Sequence, residues 1–190
     1  MTGMISQIRA RKALSVRAQC IAAALAVVVA VALPQIFHII GDFTGVGKSL
    51  GVAFLPMHLP IIFVGLIAGP IAGASAGLLS PVASMLLSGM PVMARLPLMM
   101  AELFAYGLVA GALRRTSMPT IVKILITQIS GRIVYMGATA LAIYAFSRSD
   151  LGIISGLEGL KAGMFGIILQ CTLLPLLIYR IENIKNKTDL

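Results

Sequence analysis

The side chains able to do chemistry in this sequence are few, and they fall inside apolar runs. Arg132 sits near the middle of the run Thr120 to Phe146, with Gln128 at i−4 and Tyr135 at i+3. On a helix these three share one face. Glu102 and Tyr106 lie one turn apart in the run Leu98 to Leu113, and Gln170 is mid-way along Leu157 to Tyr179. His58 is near the outer end of the run Phe54 to Ala68, and Arg95 precedes the run that carries Glu102. A central arginine in a membrane costs about 2.5–3.5 kcal/mol on insertion scales, so each such group needs a partner or a task. One arrangement is a structural ion pair between Glu102 and Arg132 among satisfied amides, since buried charges pair. The other is an outward-opening pocket. There Arg132 or Arg95 meets an anionic group, while Glu102, Gln128 and Gln170 take hydroxyls or amides. His58 would border that pocket, with Tyr106 and Tyr135 as apolar walls with polar tips. The two coexist readily, because a pocket must hold its charges still when empty.

Catalytic alternatives are thin. Gly47-Lys48-Ser49 matches the end of a phosphate-binding loop, but the glycine required five positions before Gly47 is Asp42 here, and no strand precedes it. There is no HExxH pair, no GxSxG elbow and no Cys/His cluster at metal spacing. The expectation is a protein that is not an enzyme and carries no cofactor and no metal.

The elements that must position these residues are membrane spans. The chain has 190 residues, 59% hydrophobic and 11% charged, with a mean hydropathy of +1.02. Soluble domains carry about 25% charged residues. Spans of about 20 residues with short loops give an all-α, polytopic membrane protein of six transmembrane helices. The expected spans are 16–40, 54–68, 71–87, 98–113, 120–146 and 157–179, as a single substrate-binding domain over 1–190. Residues 1–15 form a basic cytoplasmic N-terminus and 180–190 a polar, frayed cytoplasmic tail. The apolar run from Ala18 is too long for a signal-peptide core and lacks a clear cleavage site, so it reads as an uncleaved first span.

The formal net charge of +9 raises nucleic acid as a partner, but its distribution follows topology instead. Arg9, Arg11, Lys12 and Arg17 precede the first span, Arg114, Arg115 and Lys123 flank the fourth turn, and Arg180, Lys185 and Lys187 end the chain. These segments share one side if both termini are cytoplasmic, as the enrichment of Lys and Arg on that side requires. No nucleic-acid partner is expected. Cys20 and Cys171 both lie within apolar runs and read as buried, unpaired small hydrophobes.

Two ladders of small residues repeat every fourth position. Gly65, Gly69, Gly73 and Gly77 cross the junction of the second and third spans, and Ala18, Ala22, Ala26 and Ala30 stripe the first. Small residues at this spacing let helices approach closely where lipid gives no hydrophobic drive. Internal packing suits the glycines; for the alanines, internal packing and docking to a second membrane protein are both open.

The segment Phe54 to Leu113 resembles the core of the substrate-binding S components of energy-coupling-factor vitamin transporters. The resemblance rests on Pro56-Met57-His58-Leu59-Pro60, Gly65, Gly69-Pro70, Leu79-Ser80-Pro81, Ser88-Gly89-Met90-Pro91 and Glu102-Leu103-Phe104-Ala105-Tyr106-Gly107. Size and span number extend it over nearly the whole chain. It implies a prokaryotic plasma-membrane protein that captures a vitamin from outside. A transmembrane coupling subunit and two cytoplasmic ATPase subunits would be its partners, with the lipid bilayer as its surroundings. It also implies partner docking through Ala18, Ala22, Ala26 and Ala30, and a ligand pocket among helices four to six under the loop Gly41 to Gly51, which would act as a lid. The branch with Pro-Met-His and Gly-Met-Pro resembles members assigned to pantothenate, with cobalamin and pyridine or pyrimidine vitamin precursors as other possibilities. The rival classes are a self-sufficient secondary transporter or channel, which predicts a repeat that the two halves do not show, and a structural membrane subunit without ligand.

Overall fold

The computed structural model describes residues 14–47, 49–146, 161 and 163–188. Among them the chain forms seven helices: α1 Val16–Thr44, α2 Ser49–Phe54, α3 His58–Ala68, α4 Pro70–Ser88, α5 Leu96–Leu113, α6 Thr120–Phe146 and α7 Met164–Thr188. No strand occurs among the described residues. Five of the helices are long and apolar enough to cross a membrane. The exception of interest is α3, whose eleven residues rise about 16 Å, roughly half of a hydrocarbon core of about 30 Å.

Local chemistry sets the helix limits. Ser15 caps α1 by accepting from the backbone N–H of Ala18 at 3.3 Å, which satisfies an otherwise orphaned donor. Gly69 separates α3 from α4 with φ 118° and ψ −178°, a conformation that side chains rarely adopt. Pro70 then opens α4, where its missing N–H costs nothing. Gly89 ends α4 in the left-handed region.

Large apolar side chains face outward and small ones inward. Ile21, Leu25 and Val28 of α1, Leu86 and Leu87 of α4, Ile129 and Ile133 of α6, and Phe165 and Ile168 of α7 are exposed. The core instead gathers Ala23, Ala26, Ala30, Ala72, Ala76 and Ala110 around Ile61, Ile62, Leu103 and Tyr106. That inversion suits lipid as the surrounding solvent, where packing rather than apolar burial holds helices together.

The glycine ladder is an intramolecular seam. A β-carbon on Gly73 would lie 2.2 Å from the carbonyl oxygen of Gly107, one on Gly77 2.2 Å from that of Leu103, and one on Gly111 2.3 Å from Pro70. These pairs run in opposite senses along α4 and α5, so the two helices are antiparallel and in backbone contact. Gly65 of α3 meets the same stretch of α5, with Gly107 and Ala110 within 2.9 Å of a β-carbon there. The helices α3, α4 and α5 are thereby locked into one body.

Several expected limits move. The loop expected over Gly41 to Gly51 is largely helical: α1 runs on to Thr44, and α2 begins at Ser49. Its glycines serve close approach and turning rather than looseness. Gly45 takes φ 75° as the cap of α1, and the N–H of Gly47 donates to the Gly41 carbonyl at 2.9 Å. The second span expected from Phe54 begins as a helix only at His58, after a turn in which Leu55 has φ 47°. The tail expected to fray stays helical to Thr188, since neither Gly nor Pro follows Pro175 to interrupt it. The start expected for the sixth span, Leu157, lies outside the described residues. Cys20, expected to be buried, is exposed on α1, and Cys171 is partly buried; both are free.

Candidate ligand-binding site

The polar residues of α3, α5, α6 and α7 converge. On α5, Glu102 and Tyr106 stand one turn apart, and the Tyr106 hydroxyl donates to Glu102 Oε1 at 2.9 Å. From α6, Arg132 Nη1 reaches the same oxygen at 3.0 Å, with the arginine side chain 15% exposed and the glutamate 5%. One carboxylate oxygen thus holds both a phenol and a guanidinium. The Tyr106 ring is fully buried and packs edgewise near His58, with centroids 5.1 Å apart and planes tilted by 59°. It fits because α6 carries Gly131 there: a β-carbon at that position would lie 2.1 Å from Tyr106 Cε1. Gln128, one turn before Arg132, donates through Nε2 to Gln170 Oε1 and so ties α6 to α7.

The cluster is under-satisfied. Among the described residues, Arg132 Nε and Nη2, Gln128 Oε1, Gln170 Nε2 and both ring nitrogens of His58 are buried without a hydrogen-bond partner. A buried orphan costs about 1–3 kcal/mol, and six such atoms gather around one ion pair. The pattern is specific. Nη1 of Arg132 is spent on Glu102, which leaves Nε and Nη2, the edge of a guanidinium that grips a carboxylate with two parallel hydrogen bonds. The glutamine pair keeps one free oxygen and one free amide nitrogen, and exchanging both amide orientations leaves the same inventory.

Of the expected site residues, His58, Glu102, Tyr106, Gln128, Arg132 and Gln170 are brought together. Tyr135 is half-buried one turn beyond Arg132 on α6, and its carbonyl accepts from Thr139 Oγ1 at 2.8 Å. Arg95 is exposed at the N-terminal boundary of α5, apart from the buried group. Thr127 and Thr139 of α6 are also buried, but their hydroxyls are spent on carbonyls one turn back. Gly131 escaped notice in the sequence, because a single glycine beside an arginine carries no periodic signal; only the approach of Tyr106 shows its role.

The alanine stripe divides. Ala26 and Ala30 are buried in the core, while Ala18 and Ala22 are half-buried. Ala22 and Ala26 line an apolar groove of about 400 Å³ whose other walls include Phe63 and Ile67 of α3 and Leu177 of α7.

The described helices thus bury one polar cluster with a cation edge, amides and an imidazole inside an otherwise apolar membrane protein. The comparisons sharpen this: the model of the ECF transporter substrate-specific component family matches residues 18–178, and the chain belongs to that family. It is a transport subunit of the vitamin type rather than an enzyme, and a multi-pass membrane protein. No curated protein and no solved structure matches the chain.

Proposed function

We propose that this chain captures pantothenate, or a vitamin of the same carboxylate-amide-hydroxyl chemistry, from outside a prokaryotic cell. It then delivers the vitamin across the plasma membrane as the S component of an ECF transporter. The observation that carries this reading is the unpartnered Nε/Nη2 edge of Arg132, held in place through Nη1 by Glu102. A carboxylate on that edge would be gripped bidentately. The free Gln128 oxygen would take a hydroxyl or amide proton of the ligand, and the Gln170 amide and His58 would meet its oxygens. Glu102 is not a ligand group here; its pairing with Arg132 and Tyr106 offsets part of its repulsion of an anion.

The whole chain serves as one substrate-binding domain of six spans, with α2, the Leu55 turn and α3 together acting as the second. The end that holds Arg17, Arg114, Arg115, Lys123 and Arg180 faces the cytoplasm, as the bias of Lys and Arg demands. Both termini follow to that side, and the ligand cluster then lies toward the outside, close to the start of α3 and of α5. Aromatic contacts support a closed outer end: Phe54 of α2 stands 5.3 Å from Phe37 of α1 and 6.5 Å from Phe165 of α7, so α2 is the element that would move as a lid. ATP hydrolysis falls to two cytoplasmic partner subunits. A membrane coupling subunit docks along α1, at the Ala18–Ala22 part of the stripe that internal packing leaves half-open.

Calorimetric titration of the detergent-solubilised, ligand-free protein with pantothenate tests this, with cobalamin and a pyridine vitamin as comparators. The absence of tryptophan makes intrinsic fluorescence a poor reporter. Binding tighter than about −8 kcal/mol that disappears in a still-folded Arg132→Ala variant is the expected result. A tight comparator with silent pantothenate replaces the vitamin, and an Arg132→Ala variant that binds as well as the wild type removes the site.

A further inference from the structure

The short helix α2 has left-handed residues on both sides, and their chemistry differs. Toward α1 the positive φ values fall on glycine, 75° at Gly45 and 55° at Gly47, where they carry no steric penalty. Toward α3 the positive φ falls on Leu55, at 47°, the one residue with a side chain that has this sign among the described residues. In a leucine that conformation puts Cβ too close to the carbonyl oxygen that follows it. We propose that Leu55 is a strained hinge: it is held left-handed while α2 lies closed over the outer end, and it relaxes when α2 swings away. This rests on the reading of α2 as the lid of the ligand site.

Strain at a single residue persists only where its surroundings over-determine it, and α2 is held from two sides. His38 of α1 lies against the backbone of Gly51, where a β-carbon would stand 3.1 Å from Nε2. The Phe54 ring packs on Phe37 of α1 and on Phe165 of α7. On α7, Gly166 makes room for the hinge itself: a β-carbon built there would lie 2.5 Å from the Phe54 carbonyl oxygen and 3.0 Å from Leu55 Cβ. All of these contacts are to α1 and α7, the helices against which α2 chiefly packs.

The other side of the joint is anchored differently. The His58 N–H donates to the Leu55 carbonyl at 3.0 Å, and α3 is fixed to α5 where Gly65 meets Gly107. Leu55 therefore stands between a flap held by side-chain contacts and a body held by backbone against backbone. Hinges are such element-terminal positions, which absorb a large change in φ and ψ. With its carbonyl held by His58, Leu55 keeps rotation about φ, which moves α2 while His58 stays beside Tyr106. Leu55 is thus a positioning residue. Glycine at this position would make the same turn without strain and favour the closed form; leucine keeps closure easily reversed, as a subunit that must also release its cargo requires.

The first test needs no ligand. In the full chain carrying Cys20→Ala and Cys171→Ala, spin labels on Ser49→Cys of α2 and Leu87→Cys of α4, both exposed positions, report the distance from α2 to the seam by pulsed electron resonance. Leu55→Gly, Leu55→Asn and Leu55→Ala all remove the leucine side chain, but tolerance of the left-handed region falls in that order. The ratio of closed to open distances should fall in the same order, with glycine above alanine by at least about threefold once the greater freedom of glycine in the open form is set against the relieved strain. Equal ratios for glycine and alanine, an order that follows side-chain size, or one unchanging distance in every variant overturns the hinge. Asparagine keeps nearly the bulk of leucine, and far-UV circular dichroism checks the fold of each variant. The second test is the dissociation rate of pantothenate, which should be slower from Leu55→Gly than from Leu55→Ala by a similar factor; equal rates overturn the coupling of hinge to site. Ordered distance ratios without any pantothenate binding would keep the hinge and remove that ligand, whereas pantothenate binding with unordered ratios would keep the ligand and remove the hinge.

Discussion

In a Glu102→Gln variant the side chain keeps its size and an oxygen able to accept from Tyr106 and Arg132, but it loses its charge. Stability and affinity should then move in opposite directions. In the empty protein the change breaks the 3.0 Å pair with Arg132. Breaking a buried pair costs about 3–5 kcal/mol, and the retained acceptor puts this case near the lower end. A loss of about 3 kcal/mol lowers the unfolding midpoint of a chain of this size by roughly 6–12 °C. In the complex the sign reverses. A ligand carboxylate on the Nε/Nη2 edge faces Glu102 across the guanidinium, and two charge-assisted contacts of about 2.8 Å on either side of that planar group place the carboxylates roughly 6–7 Å apart. At an effective dielectric of about 20 their repulsion is about 2.5 kcal/mol. Removing it, with part of the gain lost to relaxation, tightens an anionic ligand by roughly fivefold to seventyfold. Calorimetry with pantothenate on both proteins in one detergent reads the affinity, and a thermal scan of the empty proteins reads the stability. Weaker pantothenate binding by a folded Glu102→Gln protein would mean that Glu102 contacts the ligand itself, and the anion reading would fall.

Arg132→Lys keeps the charge but replaces a two-pronged edge with a single point. Losing one charged hydrogen bond costs about 1.5–3 kcal/mol, so pantothenate should weaken by roughly tenfold to a hundredfold; an unchanged dissociation constant would deny the bidentate grip. Gly107→Ala puts a β-carbon 2.0 Å from the Gly73 carbonyl oxygen, and since backbone cannot yield, destabilisation of at least about 1–3 kcal/mol is expected, read as a lowered unfolding midpoint. Gly131→Ala drives into the Tyr106 ring; ligand affinity should fall more than stability, and a drop in stability alone would show that Tyr106 is only packing. Gln128→Leu and Gln170→Leu each strand the other amide, whereas the double variant removes both. A double-mutant cycle on stability should therefore show coupling of about 0.5–3 kcal/mol, and additivity would mean that the amide bridge does not form.

The residues of the polar cluster were legible from two physical facts: charge is costly in lipid, and helical spacing puts i, i+3 and i+4 on one face. Glu102, Tyr106, Gln128 and Arg132 follow from these alone. What could not be read was which of their atoms are spent. That depends on the offset of α5 against α6, which brings Glu102 level with Arg132 rather than with Gln128, and spacing along one helix says nothing of offset between two. Arg95 shows the converse: its type and place near the same helix suggested the site, yet it lies exposed at the helix boundary. The glycines divided in the same way. Gly65, Gly73 and Gly77 announced a close seam by their repeat, whereas Gly131 and Gly166, each admitting one neighbour, have no repeat to announce them. Gly166 lets α7 come against the Phe54 carbonyl, 2.5 Å from a β-carbon built there.

The two features belong together. The seam of α3, α4 and α5 fixes Glu102, Tyr106 and His58 on a body that cannot shift without forcing backbone against backbone. Arg132, Gln128 and Gln170 come from α6 and α7, and α7 has no glycine seam with that body; it meets α2, α6 and, more sparsely, α3. The unsatisfied atoms of Arg132 and Gln128 therefore lie on a helix packed closely against α5, and that of Gln170 on the more sparsely connected α7. A ligand that answers Arg132, Gln128 and Gln170 at once would add hydrogen bonds between α6 and α7, the sparser of these contacts. Binding should then rigidify α7 more than α4 and α5, since the latter are already held by atoms with no room to move. A site arranged in this way would open by loosening α7 while the Glu102–Arg132 pair between α5 and α6 stays in place.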